Sequence, residues 1–290
     1  YGFDLGLFNN KIDIVFDYFR SERSNILMQR KTTPTLSGFR VNQYANYGIV
    51  SNHGVDMSLN AHHQIGKVKL SARGTFTLPQ KYPWMERTGK RINENNLYIA
   101  ERLYTKEDFI INKNSNGIES YTLRPELPQS TLGGLLGPGD IKYKDVNGDG
   151  VIDSYDKVVG VGHPNVPEIV YGFGLNIEYK GFYASVFFQG TGNCSVLLGG
   201  NTPEGWYPFA WGVDQSSYRT FALDRWTESN PSQNVLMPRL HKDNANNANN
   251  QVASTWWLRN GGFLRLKNME FGYQLPKQFL KKFNVQAARI

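Results

Sequence analysis

Alternation of apolar and polar residues at a period of two, in runs joined by tight turns, constrains this chain more than any other feature. Phe3, Leu5 and Leu7 alternate with Asp4 and Gly6, Asn9-Asn10 turns the chain, and Ile12, Ile14, Phe16 and Tyr18 alternate with Asp13, Val15 and Asp17. Val55, Met57, Leu59 and Ala61 repeat the pattern, and after a turn at His62 to Gly66 it resumes in Val68, Leu70, Ala72 and Phe76. Tyr171, Phe173, Leu175, Ile177 and Tyr179 lead through Lys180-Gly181 into Phe182, Ala184, Val186 and Phe188. Such runs are hairpins with one apolar and one polar face. Leu264 and Leu266 then give way to Met269, Phe271 and Tyr273, and a one-residue bulge near Lys267-Asn268 would keep them on one face.

The connections fall into two classes that alternate strictly. Short ones lie at Asn9-Asn10, His62 to Gly66, Lys180-Gly181 and Lys277 to Asn284; long ones at Ser21 to Thr35, Pro79 to Glu168 and Cys194 to Gly261. Short periplasmic turns and long extracellular loops distinguish an antiparallel up-and-down transmembrane β-barrel, whose strands turn apolar residues to lipid. The pattern predicts about eight strands, a portion of a larger barrel, with long extracellular loops over residues 79–168 and 193–262. Asp13, Asp17, Lys69, Arg73 and Glu178 would face a wet or plugged interior, and Tyr18, Phe76, Tyr171, Tyr179 and Tyr273 would form interfacial girdles. Adjacent His62 and His63, at a turn, read as solvent-exposed.

Composition agrees with an all-β fold, since aromatics make up 13% of the chain and Gly numbers 29 among 290 residues. The formal charge of +7 comes from scattered basic residues, so no nucleic-acid interface is expected. One cysteine, Cys194, allows neither an internal disulfide nor a cysteine-rich zinc site. Mean hydropathy is −0.48 and no run of about 18 apolar residues occurs; barrel strands carry too weak a signal for either to count against them. The chain opens inside a strand, so Tyr1 reads as an internal position of a longer protein.

Asp145-Val-Asn147-Gly-Asp149-Gly150-Val151-Ile152-Asp153-Ser-Tyr-Asp156 places oxygen-bearing side chains at positions one, three, five, nine and twelve of a twelve-residue loop, with glycine at six. Val151, at seven, would offer its carbonyl. This is the donor pattern for a hard cation, Ca²⁺ above all, in a structural role. Aspartate at twelve and the lack of flanking amphipathic helices depart from a calcium sensor. The alternative is a solvated turn, because Asn-Gly-Asp-Gly is turn chemistry in itself. Carboxylates such as Glu101 and Asp108 have no fixed separation and no Ser-His-Asp or zinc-protease signature appears, so no enzyme and no redox or organic cofactor is expected.

Several ordered stretches carry a family resemblance. Asp140-Ile-Lys-Tyr-Lys-Asp-Val-Asn-Gly-Asp-Gly-Val-Ile-Asp, then Gly160-Val-Gly-His-Pro-Asn, Tyr171-Gly-Phe-Gly-Leu, Tyr179-Lys-Gly-Phe and Phe187-Phe-Gln-Gly, resemble the C-terminal part of SusC/RagA-type TonB-dependent outer-membrane transporters. So do Trp257-Leu-Arg-Asn-Gly-Gly-Phe-Leu-Arg-Leu-Lys-Asn-Met-Glu-Phe-Gly-Tyr-Gln-Leu-Pro276 and Asn52-His-Gly-Val-Asp-Met-Ser-Leu. The resemblance implies a Gram-negative outer-membrane barrel of about 22 strands, a plug and a TonB-contacting segment outside these residues, and a SusD-like surface lipoprotein as partner. It implies import of an oligosaccharide or, in some members, a peptide, with oligosaccharide preferred here. Trp206, Tyr207, Trp211, Trp256 and Trp257, with Arg259 and Asn260, would then be candidates to hold the nutrient by ring stacking and hydrogen bonding, against an ordinary role in packing. The competing reading is a soluble calcium-stabilised β-sandwich that binds carbohydrate.

Overall fold

A computed structural model describes residues 1–29, 38, 43–79, 84–85, 90–91, 95–198, 220–241, 248–276, 278, 280, 285–286 and 288–290. It divides into two units, Tyr1–Glu94 with His163–Ser195 and Asn260–Ile290, and Asn95–Gly162 with Val196–Arg259.

The first unit is a large antiparallel sheet. Its seven long strands, β1 (Gly2–Leu7), β2 (Ile12–Gln29), β3 (Tyr44–Ile65), β4 (Val68–Pro79), β5 (Ile169–Tyr179), β6 (Phe182–Gly192) and β7 (Phe263–Tyr273), are neighbours in sequence order, and two short strands, Trp84–Met85 and Lys90–Arg91, pair beside β3. Because side chains alternate along a strand, register decides whether the apolar sets meet on one face. They do: one cross-strand row reads Leu5, Ile14, Leu59, Gly74, Phe173, Phe188, Leu266, and the next Leu7, Ile12, Ala61, Ala72, Leu175, Val186, Met269. This face is unburied; Met269 and Phe271 are each 75% exposed. Strands β4 to β7 are 12, 11, 11 and 11 residues long, close to the 9–11 that cross a bilayer when tilted.

The bulge expected at Lys267-Asn268 is present: Phe187 pairs with Asn268 and Phe188 with Leu266, leaving Lys267 as the extra residue. Two turns differ from expectation. His62 and His63 lie within β3, paired with Ser71 and Leu70, and the turn narrows to Gly66-Lys67 with Gly66 at φ 59°. The segment from Ser21, expected as loop, continues β2 to Gln29 against β3 down to Tyr44. Strands of 18 and 22 residues overrun any apolar band, and once both faces meet water neither needs apolar residues, so alternation no longer reports them. Beyond β7, Tyr273 exchanges backbone hydrogen bonds with Ile290 at 2.8 and 3.1 Å, and Gln274 forms an isolated antiparallel bridge with Arg289.

In the second unit, described residues from the two long segments expected at 79–168 and 193–262 share one core. Tyr98, Leu103, Ile141, Tyr143 and Ile152 from the first pack with Trp226, Met237 and Trp257 from the second. Its regular elements are short pairs such as Phe109–Lys113 with Glu119–Leu123. Gly139, at φ 88°, lies so close to the Trp226 ring that a Cβ would overlap it. Asn249 and Asn250 are buried in the short helix Ala248–Gln251.

Candidate functional site

The loop Asp145–Asp156 is built on its own carboxylates. Gly148 and Gly150, at φ 76° and 82°, permit the reversals that bring its backbone amides inward. Asp145 accepts hydrogen bonds from the amides of Gly148 (2.7 Å) and Gly150 (2.8 Å), Asn147 from that of Asp149 (3.1 Å), and Asp149 from that of Val151 (2.8 Å). Asp153 caps the turn Ser154–Asp156 through the Tyr155 amide. Asp156 is fully buried, and its two oxygens accept from the amides of Val146 and Asp153, both at 2.8 Å. It therefore ties the loop's two ends together, the task a bidentate ligand performs in a calcium hand. Gly150 and Ile152 carbonyls accept from Gln129 and Thr131, so by alternation the Val151 carbonyl faces the other way.

Each carboxylate oxygen used once retains an acceptor site. Asp145, Asn147, Asp149, Asp153 and the Val151 carbonyl thus suit a hard cation in kind. Among the described residues, no three His, Cys, Asp or Glu side chains are already placed to hold a metal ion together. Burial, then Asp153 and Asp156, raise the pKa of nearby Tyr98.

A buried polar knot stands beside the loop in sequence and escaped the sequence reading. Asp140, 1% exposed, takes Arg239 Nη2 at 2.7 Å, the Gly137 amide at 2.9 Å and Asn250 Nδ2 at 2.8 Å. Asn250 accepts from the Ile141 amide (2.9 Å), Asn249 donates to the Ile141 carbonyl (2.9 Å), and Tyr143 Oη donates to the Asn249 carbonyl (2.8 Å). A second ion pair joins Arg102 to Asp108 through two bonds of 2.6 and 2.7 Å. Burial pushes the Asp108 pKa up, but the Arg102 guanidinium and the Thr105 amide outweigh it and leave it below the ordinary value. The first knot has no periodic signal, because partners such as Asp140 and Asn250 lie 110 residues apart.

The tryptophans divide. Trp257 is 1% exposed, with Nε1 bound to the Asn250 carbonyl at 2.8 Å; its burial leaves no ring face for a ligand, and packing is its role. Trp256 is half-buried against the same core and donates to the Leu236 carbonyl. Arg259 spends its guanidinium on the Trp256 and Leu258 carbonyls, and Asn260 accepts from the Gly262 amide. Trp206, Tyr207 and Trp211 lie outside the described residues.

The polar face of the large sheet carries its own chemistry. One row reads Asp13, Asn60, Arg73, Gly174, Phe187, Asn268. Lys69 pairs with Glu178 at 3.5 Å, and Tyr183 donates to Glu270 at 3.2 Å. Phe187 is an aromatic ring at a polar-face position, and Arg73 lies over it with 5.1 Å to the centroid.

No protein-family model matches the chain. TonB-dependent receptor P3 of Formosa agariphila is 25% identical over 315 residues, covering 100% of this chain and 28% of the receptor. TonB-dependent receptor P26 of the same organism is 26% identical over 282 residues, 94% of this chain and 27% of the receptor. Among solved structures, the RagAB peptide transporter matches with a TM-score of 0.63 at 21% identity, and the RagAB peptide importer in its open-open state with 0.64 at 20%. Each covers 99% of this chain, which spans 30% and 29% of theirs. The chain therefore resembles TonB-dependent receptors throughout. It is all-β, a portion of an outer-membrane β-barrel wall, and spans less than a third of the length of these relatives.

Proposed function

We propose that the protein carrying this chain is an outer-membrane TonB-dependent importer, in which the large sheet is barrel wall and the long excursions are extracellular. One observation carries the reading: seven antiparallel strands turn a continuous apolar face outward and unburied, an arrangement stable in lipid and hazardous in water. A soluble sandwich would bury that face. The importer draws energy from the TonB complex through parts of the polypeptide outside these residues, and works with a SusD-like surface lipoprotein.

The nutrient is an oligomer, and peptide is favoured over oligosaccharide. Two structural neighbours are described as a peptide transporter and a peptide importer, and burial of Trp257 removes one member of the aromatic set that suggested sugar stacking. We further propose that Asp145, Asn147, Asp149, Val151 and Asp153 hold Ca²⁺, with Asp156 as the tie that shapes the loop. The amide hydrogen bonds to Asp145, Asp149 and Asp153 support this, since they pre-form the loop on the side chains a cation would use.

The test is cell fractionation followed by transport. The protein should fractionate with the outer membrane, and TonB-dependent uptake of labelled peptides should exceed that of labelled oligosaccharides. Recovery from the soluble fraction, folded without detergent, would sink the importer; TonB-dependent uptake of oligosaccharides alone would reverse the choice of nutrient.

A further inference from the structure

The inner face of the wall holds a small built recess. Its volume is about 360 Å³, and its lining includes Arg73, Ser185, Phe187, Lys267, Asn268 and Glu270. Three departures from regular sheet create it. The bulge sets Lys267 and Asn268 together opposite Phe187, so two consecutive side chains serve a face that regular alternation would give one. Glycines at 172 and 174 leave the floor open, and a Cβ at either would come within 2.8 Å of the Phe187 ring. Into that opening lies the ring, with the Arg73 guanidinium over it at 5.1 Å.

The positive charge there is only partly offset. Among the described residues neither Arg73 nor Lys267 has a carboxylate within ion-pair distance, although Lys69 on the same face has Glu178 at 3.5 Å. Glu270 is engaged by the Tyr183 hydroxyl. Two cations against the single carboxylate of Glu270 leave the recess with an excess of positive charge, and beside its amide and hydroxyl groups this excess calls for an anion that also presents peptide-like hydrogen-bonding groups and an apolar edge to the ring.

We propose that this recess binds the carboxylate side chain of an acidic peptide, placing Arg73 and Lys267 as a charge-selective station on the inner wall. The proposal rests on the importer reading and names within it a class of solute. Arg73 and Lys267 take the carboxylate, Phe187 takes the aliphatic part of the acidic side chain, and Asn268 and Ser185 meet the backbone amides.

Zero-length crosslinking tests it on the full-length protein in detergent. The probe is acetyl-Ala-Glu-Ala-amide, whose only carboxylate is the glutamate side chain. A water-soluble carbodiimide converts that carboxylate to an O-acylisourea; Lys267 Nζ attacks the acyl carbon, the bond to the isourea oxygen breaks, a urea leaves and the amine proton passes to solvent. Peptide mass spectrometry should find the probe on Lys267, with Lys69 joined to Glu178 as the internal measure of intact strand pairing. Excess acetyl-Ala-Gln-Ala-amide should not compete. Arg73→Gln should cut the Lys267 yield about tenfold, Arg73→Lys should restore most of it, and the Lys69–Glu178 product should be unchanged in both. The site is overturned if Lys267 takes no probe, joins only Glu270, or joins an acidic residue elsewhere in the same polypeptide, while the control product forms. Loss of the control product as well overturns the wall and the site together. Outer-membrane fractionation separates the two levels: an outer-membrane protein with an unlabelled Lys267 leaves the importer standing and removes the station.

Discussion

The two units solve opposite problems with the same twenty side chains. In the wall, the large apolar residues face outward, as at Met269 and Phe271, and charge lies on the other face. In the second unit Leu103, Ile141 and Trp257 are enclosed, and even the charge of Asp140 is enclosed with its partners. The difference shows what each unit must satisfy. A wall in lipid owes its backbone a closed hydrogen-bond ladder and can leave side chains unpacked. A water-facing unit of short strands has few ladder bonds, so buried side-chain pairs must supply what regular structure does not.

The sharpest way to break that symmetry is Trp257→Ala. The ring is fully enclosed and also holds the Asn250 carbonyl, so its loss should destabilise the second unit by about 3–5 kcal/mol. Limited proteolysis should then cut within residues 95–162 and 196–259, while the heat-modifiable electrophoretic mobility of the barrel is retained. Equal protection in variant and parent would mean that the second unit draws its stability from elsewhere.

The corresponding attack on the wall is Leu175→Arg, on the outward row between Ala72 and Val186. Near the bilayer midplane a lipid-facing arginine costs about 2–4 kcal/mol, so the urea midpoint of the barrel in lipid should fall. The same charge on the other face, as Asn176→Arg, should cost far less. If both substitutions cost the same, the assignment of lipid face and interior is wrong.

Legibility from sequence follows the same division. The hairpins, their order and the bulge at Lys267 were readable because lipid on one side and water on the other impose a period of two on every strand. The outer halves of β2 and β3 were not, since both faces there meet water and Arg20 to Gln29 shows no alternation. The core of the second unit was hidden for another reason: Tyr143 and Asn249 meet across 106 residues, and strands of two to five residues are too short to carry a period. The loop Asp145–Asp156 lay between these extremes, its spacing visible and the inward turn of Asp156 not. Phe187 did leave a mark, as an aromatic at a polar-face position, but only the register shows that Arg73 reaches it across Gly174.

Chelation separates the units a second way. A chelator added to the full-length protein should increase hydrogen exchange at residues 145–156 and in the paired strand Gln129–Ser130, and leave β4 to β7 unchanged. Asp149→Ala should reproduce the chelated state. Exchange that ignores both treatments would return the loop to an acidic turn held by its own amides.

The smallest expected effect distinguishes exposed from enclosed charge within the second unit itself. Hydrogen bonds from Tyr121 Oη (2.7 Å) and from the Lys113 ammonium lower the Glu119 pKa to about 2, and the same contact lifts Tyr121 to about 12. A carboxyl group depressed on folding contributes stability that is present above its unfolded pKa and is lost as pH falls through the folded value. For Glu119 that window runs from the ordinary glutamate range down to about 2. Tyr121→Phe removes the leading cause, so the Glu119 carboxyl resonance should titrate at a higher pH while the midpoint of thermal unfolding scarcely moves, because the group is open to screening by solvent. Asp108, enclosed with Arg102, should behave differently: Arg102→Met leaves a buried carboxylate without its guanidinium, raising its pKa and lowering the stability of the second unit above the carboxylate range as well as within it. A thermal shift from Tyr121→Phe as large as that from Arg102→Met would show that enclosure does not set the strength of these pairs, and would remove the distinction between surface and buried charge in this unit.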